Sequence, residues 1–302
     1  MPNLIRRADD SYGDDSMILL AFLLVVLSGL THSIWSLFAK SSRNKSVFLW
    51  CIAMIAAVAL FPPFIQEIGS ASLDRGAWLL LLSSAGLQAV YGLLLSRTYQ
   101  MGDLSQVYPI MRGTNTLLIP AFGVAFLGET LSVPGWIGLL CMIIGFVMLS
   151  GLLTRKSAGH GEGFSPAPVL MALGVGLCTT SYVLVDKINL QHVSALTLLE
   201  VTNIGFAAGL TPAVLSSRQL SSEWKLNGKR IVLGAVLNTG SYLLFLLALA
   251  YAPVAHVSPV REIGTVFATL LGIFVLKEKQ GTLRILSSLV ITAGIMLIGF
   301  FG

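Results

Sequence analysis

Charged residues are scarce in this sequence. They make up 11% of 302 residues, where soluble chains carry roughly 25%. A chain so poor in charge cannot cover a water-facing surface. Cysteine is scarce too: Cys51, Cys141 and Cys178 lie singly in apolar runs, which excludes a disulfide framework and a thiolate metal centre. The four histidines are scattered. HExxH and GxSxG are missing, and no pair of aspartates at helical spacing lies in an apolar run, so neither zinc hydrolase nor serine hydrolase chemistry has a motif to rest on. Glycine is plentiful, but no glycine cluster follows a strand, so no nucleotide-binding loop is expected. No polar stretch is long enough for a soluble domain. What remains is apolar: 55% hydrophobic residues and a mean hydropathy of +0.83. The expected class is an all-α polytopic membrane protein. The pI near 9.2 is read as loop charge that orients the chain in a bilayer, not as a nucleic-acid footprint.

Ten apolar segments can be marked, each near the ~20 residues needed to span hydrocarbon. They cover 17–39, 46–66, 76–97, 105–127, 132–153, 167–187, 194–216, 229–251, 256–276 and 282–301. Residues 1–16 form a polar tail without a small-x-small cleavage site, so no cleaved signal peptide is expected. The polar, Gly-rich linker 154–166 separates a first block, 17–153, from a second, 167–302.

The two blocks echo one another. Gly102 to Glu129 reads GDLSQVYPIMRGTNTLLIPAFGVAFLGE, and Ala252 to Glu278 reads APVAHVSPVREIGTVFATLLGIFVLKE. Each has Val-x-Pro (Val107, Pro109; Val257, Pro259), then an Arg (Arg112; Arg261), an apolar run and a Glu. Segments one and six share an aromatic and a lysine at one spacing (Trp35 and Lys40; Tyr182 and Lys187). Segments five and ten carry small residues seven apart, Gly138 with Gly145 and Ser287 with Gly294, a face that admits close backbone approach. Five spans per block is odd, so the second block must sit inverted relative to the first. Equivalent loops indeed carry opposite charge bias. Lys40, Arg43 and Lys45 follow segment one, and Arg218, Lys225, Lys229 and Arg230 follow segment seven, while their counterparts hold one base each. The positive-inside rule then puts both termini outside.

The doubled Val-x-Pro…Arg motif, the Glu after it and the small-residue fifth helix resemble the drug/metabolite transporter superfamily, specifically its EamA-type members, over Met17 to Gly302. The resemblance implies a transporter with a central cavity lined by helices one, three, four, six, eight and nine, working by alternating access. The family's substrates range over amino acids, other metabolites and drugs. Its members are often drawn with both termini in the cytoplasm, against the charge count. The expected location is the cell membrane, a bacterial inner membrane.

A proline, a histidine or a full charge inside such segments is costly and marks candidates for function. Arg112 and Arg261 follow prolines that free a backbone carbonyl, so a break is expected beside each. Either Arg can clamp a carboxylate or phosphate, or close an internal pair with Glu262 or Glu200. Glu200, with Asn203 one turn on, is a proton acceptor, a counter-ion for a cationic substrate, a helix-end residue at headgroup depth, or a partner for an Arg. His32 and Trp35 share a face, and Tyr182 repeats the aromatic slot. Gln88 and Tyr91 on segment three, and Asn238, Ser241 and Tyr242 on segment eight, either line a wet cavity or bond helix to helix. Tyr108 and His256 sit just before the prolines, at a cavity end or in a loop. Glu129 and Glu278 are read as caps for the helix that follows each. The candidate cavity set is therefore His32, Trp35, Gln88, Tyr91, Arg112, Tyr182, Glu200, Asn238, Tyr242 and Arg261. The expected partners are a small molecule, membrane lipid and protons, without nucleic acid, metal or cofactor, in a monomer or homodimer. An intramembrane lipid-modifying enzyme and a non-transporting scaffold are the alternatives.

Overall fold

A computed structural model describes residues 15–101, 104–150, 166–267 and 282–302. Among them run ten helices: α1 (Asp15–Ser41), α2 (Lys45–Ser70), α3 (Arg75–Met101), α4 (Leu104–Leu127), α5 (Val133–Ser150), α6 (Ala167–Asn189), α7 (Ala195–Ser217), α8 (Leu220–Tyr251), α9 (Val254–Arg261) and α10 (Thr282–Phe301). Eight helices, α1 to α8, are long and apolar enough to cross a membrane. Glu278, most of the polar N-terminal tail and nearly all of the 154–166 linker lie outside the described residues.

The helices start and stop where local chemistry says they should. Asn44 caps α2 by accepting from the Val47 N–H at 3.1 Å, and Ser194 caps α7 through the Thr197 N–H at 3.3 Å. Arg218 ends α7 with φ 52°, and Gly128 turns the chain after α4 at φ 69°, a conformation that suits glycine. Pro62, Pro63, Pro109, Pro120 and Pro212 all sit inside helices. Neighbouring helices make such prolines tolerable in a bilayer.

Three sequence expectations change. The stretch 216–229 is not a loop: α8 begins at Leu220, because Leu220 to Asn227 holds no glycine or proline and Glu223 is buried, bonded to Asn44 and Asn227. The break expected beside each Arg occurs in only one copy. The helix turns at Glu262, after Arg261, and resumes over 263–267, whereas α4 runs unbroken through Arg112. Glu129 does not cap the helix that follows it. Its carboxylate accepts from Val254 N–H and Ala255 N–H, both at 2.8 Å, and so caps α9 in the other half. The start of α5 is served by Ser132, through Gly135 N–H at 3.1 Å. Two charge-assisted bonds on a dipole end stabilise by about 1–2 kcal/mol. Glu129→Ala is accordingly expected to lower the thermal midpoint of the purified protein in micelles, and an unchanged midpoint would show that the cap carries no weight.

Packing is inside-out relative to a soluble protein. Leu19, Leu23, Phe126, Leu140, Val236 and Phe300 are exposed, while Ser28, Ser84, Thr180, Asp186, Glu200 and Glu262 are buried. The main contacts, though not lesser ones such as α7–α8, repeat when the first five helices are exchanged with the last five. Helix α1 packs on α8 as α6 packs on α3, α2 on α8 as α7 on α3, and α4 on α6 as α9 on α1. The pairs α2–α7, α4–α9 and α5–α10 each join counterparts. The seven-residue spacing of small side chains is used directly at α5–α10. A Cβ on Gly138 would lie 2.7 Å from the Gly294 carbonyl oxygen, and one on Gly145 3.0 Å from that of Ser287.

Further contacts tie the ends of the bundle together. At one end Glu67 accepts from the Ser194 N–H and from the Ser194 and Thr197 hydroxyls, Glu129 holds α9, Lys187 donates to the Leu249 and Ala252 carbonyls, and Ser132 donates to Phe301 O. At the other end the Asn44 N–H donates to Glu223, and its side-chain amide donates to Gln219. Glu67 of α2, bonded at the start of α7, and Glu223 of α8, bonded at the start of α2, repeat one device: an acid from one half holding the start of the other half's second helix.

Candidate functional site

Between the halves, α1, α3, α4, α6, α8 and α9 converge on a polar and aromatic cluster. It begins with Arg112. Its three nitrogens are spread over three partners: Nε donates to the Tyr108 hydroxyl at 3.1 Å, one terminal nitrogen to Glu262 Oε1 at 3.0 Å, and the other lies 2.6 Å from His32 Nε2. A guanidinium only donates, so His32 Nε2 is the acceptor and the ring hydrogen sits on Nδ1. The Arg112–Glu262 pair therefore joins α4 to the turn after α9, across the two halves. Glu262 is steadied in turn by the Thr265 hydroxyl at 3.2 Å.

Arg261 is built differently. Its Nε donates to Ser28 Oγ at 3.2 Å, and its guanidinium carbon stands 4.2 Å from the Phe245 ring centre and 5.5 Å from that of Tyr242. Among the described residues it has no acidic partner within ion-pair distance, although Glu262 is its neighbour in sequence. Cation–π contact holds the group against α8, and among the described residues its terminal nitrogens have no carboxylate.

Aromatic rings continue the cluster. Tyr91 meets Tyr182 edge-on at 5.4 Å, Tyr182 meets Tyr242 at 6.3 Å, and His32 meets Trp35 at 4.9 Å. Tyr91 and Tyr182 both lie within electrostatic reach of Arg112 and Arg261. Gln88 is buried on α3, four residues after Ser84 and three before Tyr91, on the face that meets α6. Asn238 lies one turn before Tyr242 on α8, half-buried. Trp35 Nε1, Asn115 Oδ1 and Thr239 Oγ1 are buried without a hydrogen-bond partner among the described residues.

Seven of the ten sequence candidates are thus linked by contacts or electrostatic reach: His32, Trp35, Tyr91, Arg112, Tyr182, Tyr242 and Arg261. Gln88 and Asn238 share helix faces with members of the cluster. Glu200 stands apart. It is buried in α7, a helix that packs on α2 and α3, and among the described residues both carboxylate oxygens lack partners, as does the Asn203 amide nitrogen one turn on. The internal pair open to either Glu in the sequence is made by Glu262, and with Arg112, not with its neighbour Arg261.

The sequence reading missed three groups. Asp186 on α6 is fully buried and accepts from the Ser84 hydroxyl and from the Tyr242 hydroxyl, the latter at 2.5 Å. Ser28 supports Arg261 and exchanges bonds with Ser241. Asn115 lies one turn beyond Arg112. A signal for Asp186 was present: it follows Tyr182 by four residues, on the face of the aromatic slot.

The sequence profile of the EamA-like transporter family matches residues 19–151 and again 167–300. The probable 4-amino-4-deoxy-L-arabinose-phosphoundecaprenol flippase subunit ArnE of Hamiltonella defensa subsp. Acyrthosiphon pisum is 33% identical over 90 residues, which cover 28% of this chain and 81% of that protein. An uncharacterized protein of Methanocaldococcus jannaschii is 28% identical over 138 residues, 45% of this chain and 97% of that protein. A solved crystal structure superposes with a TM-score of 0.71 over 94% of this chain and 96% of the other, at 15% identity, a likeness of fold.

Proposed function

The chain belongs to the EamA-like transporter family, and from that premise we propose that it carries a small metabolite bearing an anionic group across the cell membrane by alternating access. The carrier consists of ten membrane-spanning helices, arranged as two inverted five-helix repeats, 17–153 and 167–302, that rock about the cluster between them. The contact pattern that survives exchange of the halves supports this reading. The end that holds exposed Arg43, Arg218, Lys225, Lys229 and Arg230 faces the cytoplasm by the positive-inside rule, which leaves both termini outside.

One observation carries the choice of an anion. Of two guanidiniums in the cluster, Arg112 is matched by Glu262, and Arg261 is held on aromatic faces with no acid among the described residues. A half-buried cation held on aromatic faces without a counter-ion is costly, and a carboxylate or phosphate on the substrate supplies the missing charge. Trp35 Nε1 and Asn115 Oδ1, buried without partners among the described residues, are available to the rest of the molecule, and the tyrosines give it an apolar wall. Gln88 and Asn238 complete the lining from α3 and α8. Glu200 then serves helix α7 or the conformational cycle, away from the anion.

The test is uptake of a panel of radiolabelled carboxylates and phosphate esters into liposomes holding the purified protein. At least one anion is taken up. Arg261→Gln lowers that uptake about tenfold or more, since a hydrogen bond to a charged group contributes about 1.5–3 kcal/mol. Arg261→Lys keeps the charge, loses the planar fork and falls between. Uptake of neutral or cationic solutes alone, or full activity in Arg261→Gln, removes the proposal.

A further inference from the structure

Among the described residues, Asp186 is the one buried acid of the cluster that neither guanidinium pairs with. It lies on α6, wholly shielded from solvent. Both oxygens are used, one by the Ser84 hydroxyl from α3 and the other by the Tyr242 hydroxyl from α8. Both partners are neutral. The neighbouring Lys187 is spent on the Leu249 and Ala252 carbonyls, and no cation stands within ion-pair distance of Asp186 among the described residues. The titratable groups brought near by the elements that pack on α6 are Tyr91 from α3, Tyr108 and Arg112 from α4, and Tyr242 from α8, with Arg261 beyond the Tyr242 ring. On α6 itself are Cys178, Tyr182 and Lys187.

A carboxylate in the middle of a membrane-embedded bundle needs a cation or a proton. The hydroxyl pair supplies neither, but it suits both states of the acid. With the acid ionised, both hydroxyls donate to it. With the acid protonated, its O–H donates to one hydroxyl oxygen, and that hydroxyl must turn its own hydrogen elsewhere. Tyr242 is the hydroxyl with a consequence, because its ring also bears the guanidinium of Arg261 at 5.5 Å.

We propose that Asp186 is a proton-binding site, linked through Tyr242 to the anion site at Arg261, so that the loading of one alters the loading of the other. The linkage rests on the transport reading given above. The proton site itself does not, because it is defined by Asp186, Ser84 and Tyr242 alone. By linkage the effect is reciprocal: an anion on Arg261 shifts proton occupancy by the same factor by which a proton on Asp186 shifts anion affinity.

The test has two arms. Infrared difference spectra of the purified protein between alkaline and acidic pH require no substrate. The wild type shows a carboxyl C=O band that appears on acidification. Asp186→Asn removes that band, Tyr242→Phe shifts it by deleting one hydrogen bond, and Glu200→Gln leaves it in place. Circular dichroism checks that each variant is folded. In liposomes a transmembrane pH gradient stimulates uptake of the anion found in the panel, and Asp186→Asn loses that stimulation. If the acid-induced band survives unchanged in folded Asp186→Asn, or also in Tyr242→Phe, the proton site is overturned while the transport reading stands. If the band behaves as expected but no anion is taken up by the wild type, transport fails and the proton site stands. Uptake that keeps its full response to the gradient in Asp186→Asn overturns the linkage.

Discussion

Gly209→Leu is expected to leave little protein in the native bundle. Helices α3 and α7 cross with their backbones in contact. A Cβ on Gly209 would stand 2.7 Å from Ala89 Cα and nearer still to its carbonyl oxygen, and a Cβ on Gly205 would meet Ala85 in the same way. The obstruction is main chain, so no side-chain rotation relieves it. The helices must separate along a face that also holds Gly92 against Phe206 and Leu210. Overpacking a core by single groups costs about 1–3 kcal/mol. Forcing two helices apart forfeits many dispersion contacts at once, in a protein whose whole stability is of the order of 5–15 kcal/mol. The check is the yield of monodisperse protein and its thermal midpoint in micelles. Gly86, on the exposed side of α3 with open space around it, provides the contrast. Gly86→Leu is tolerated, and Gly86→Ala gains about 0.5–1 kcal/mol because alanine loses less backbone entropy in a helix. Equal behaviour of Gly209→Leu and Gly86→Leu would mean that α3 and α7 do not pack as described.

That contact also shows where sequence reading succeeds and where it stops. The pair Gly205 and Gly209 is a small-xxx-small motif, as legible as the seven-residue spacing of Gly138 and Gly145, yet only the second announced itself, because only it recurs in both halves. Duplication was the strongest signal in the chain. It exposed the Arg112 and Arg261 motifs and the slot shared by Trp35 and Tyr182, and structure brings these together. Features that break the repeat were hidden. The turn at Glu262 has no counterpart in unbroken α4, because the second motif is one residue shorter between Pro259 and Arg261. Asp186 is hard to read from sequence, because Asp-Lys near the end of an apolar segment has the form of an interfacial pair. The lysine in fact reaches carbonyls of α8 and the loop after it, and the acid turns inward to Ser84 and Tyr242. Partner choice was also out of reach. Nothing in the spacing says that Glu129 caps α9 rather than α5, or that Arg112 takes Glu262 from across the interface, since both follow from how the halves dock.

The Arg112–Glu262 pair gives the second large effect. Removing one member of a buried ion pair costs about 3–5 kcal/mol, because the survivor is left charged and without its partner. Arg112→Met and Glu262→Met should each lose that much, with Arg112→Met also freeing Tyr108 and His32. The double variant should recover most of the loss, since replacing both charges by apolar groups is often close to neutral. Such recovery measures the coupling directly. Transport should nevertheless stay absent in the double variant, because the pair spans the two repeats and helps to set the site between them. A finer distinction comes from Glu262→Gln. This variant keeps the shape of the site and leaves Arg112 without its acid. Added anionic substrate then has two unmatched guanidiniums to satisfy. It should raise the thermal midpoint more in Glu262→Gln than in the wild type, as expected of a ligand that binds only the folded state. If Glu262→Gln is as stable as the wild type, and its midpoint does not respond to the transported anion, then the carboxylate is not the counter-charge of Arg112 and the assignment of Arg261 as the vacant partner loses its basis.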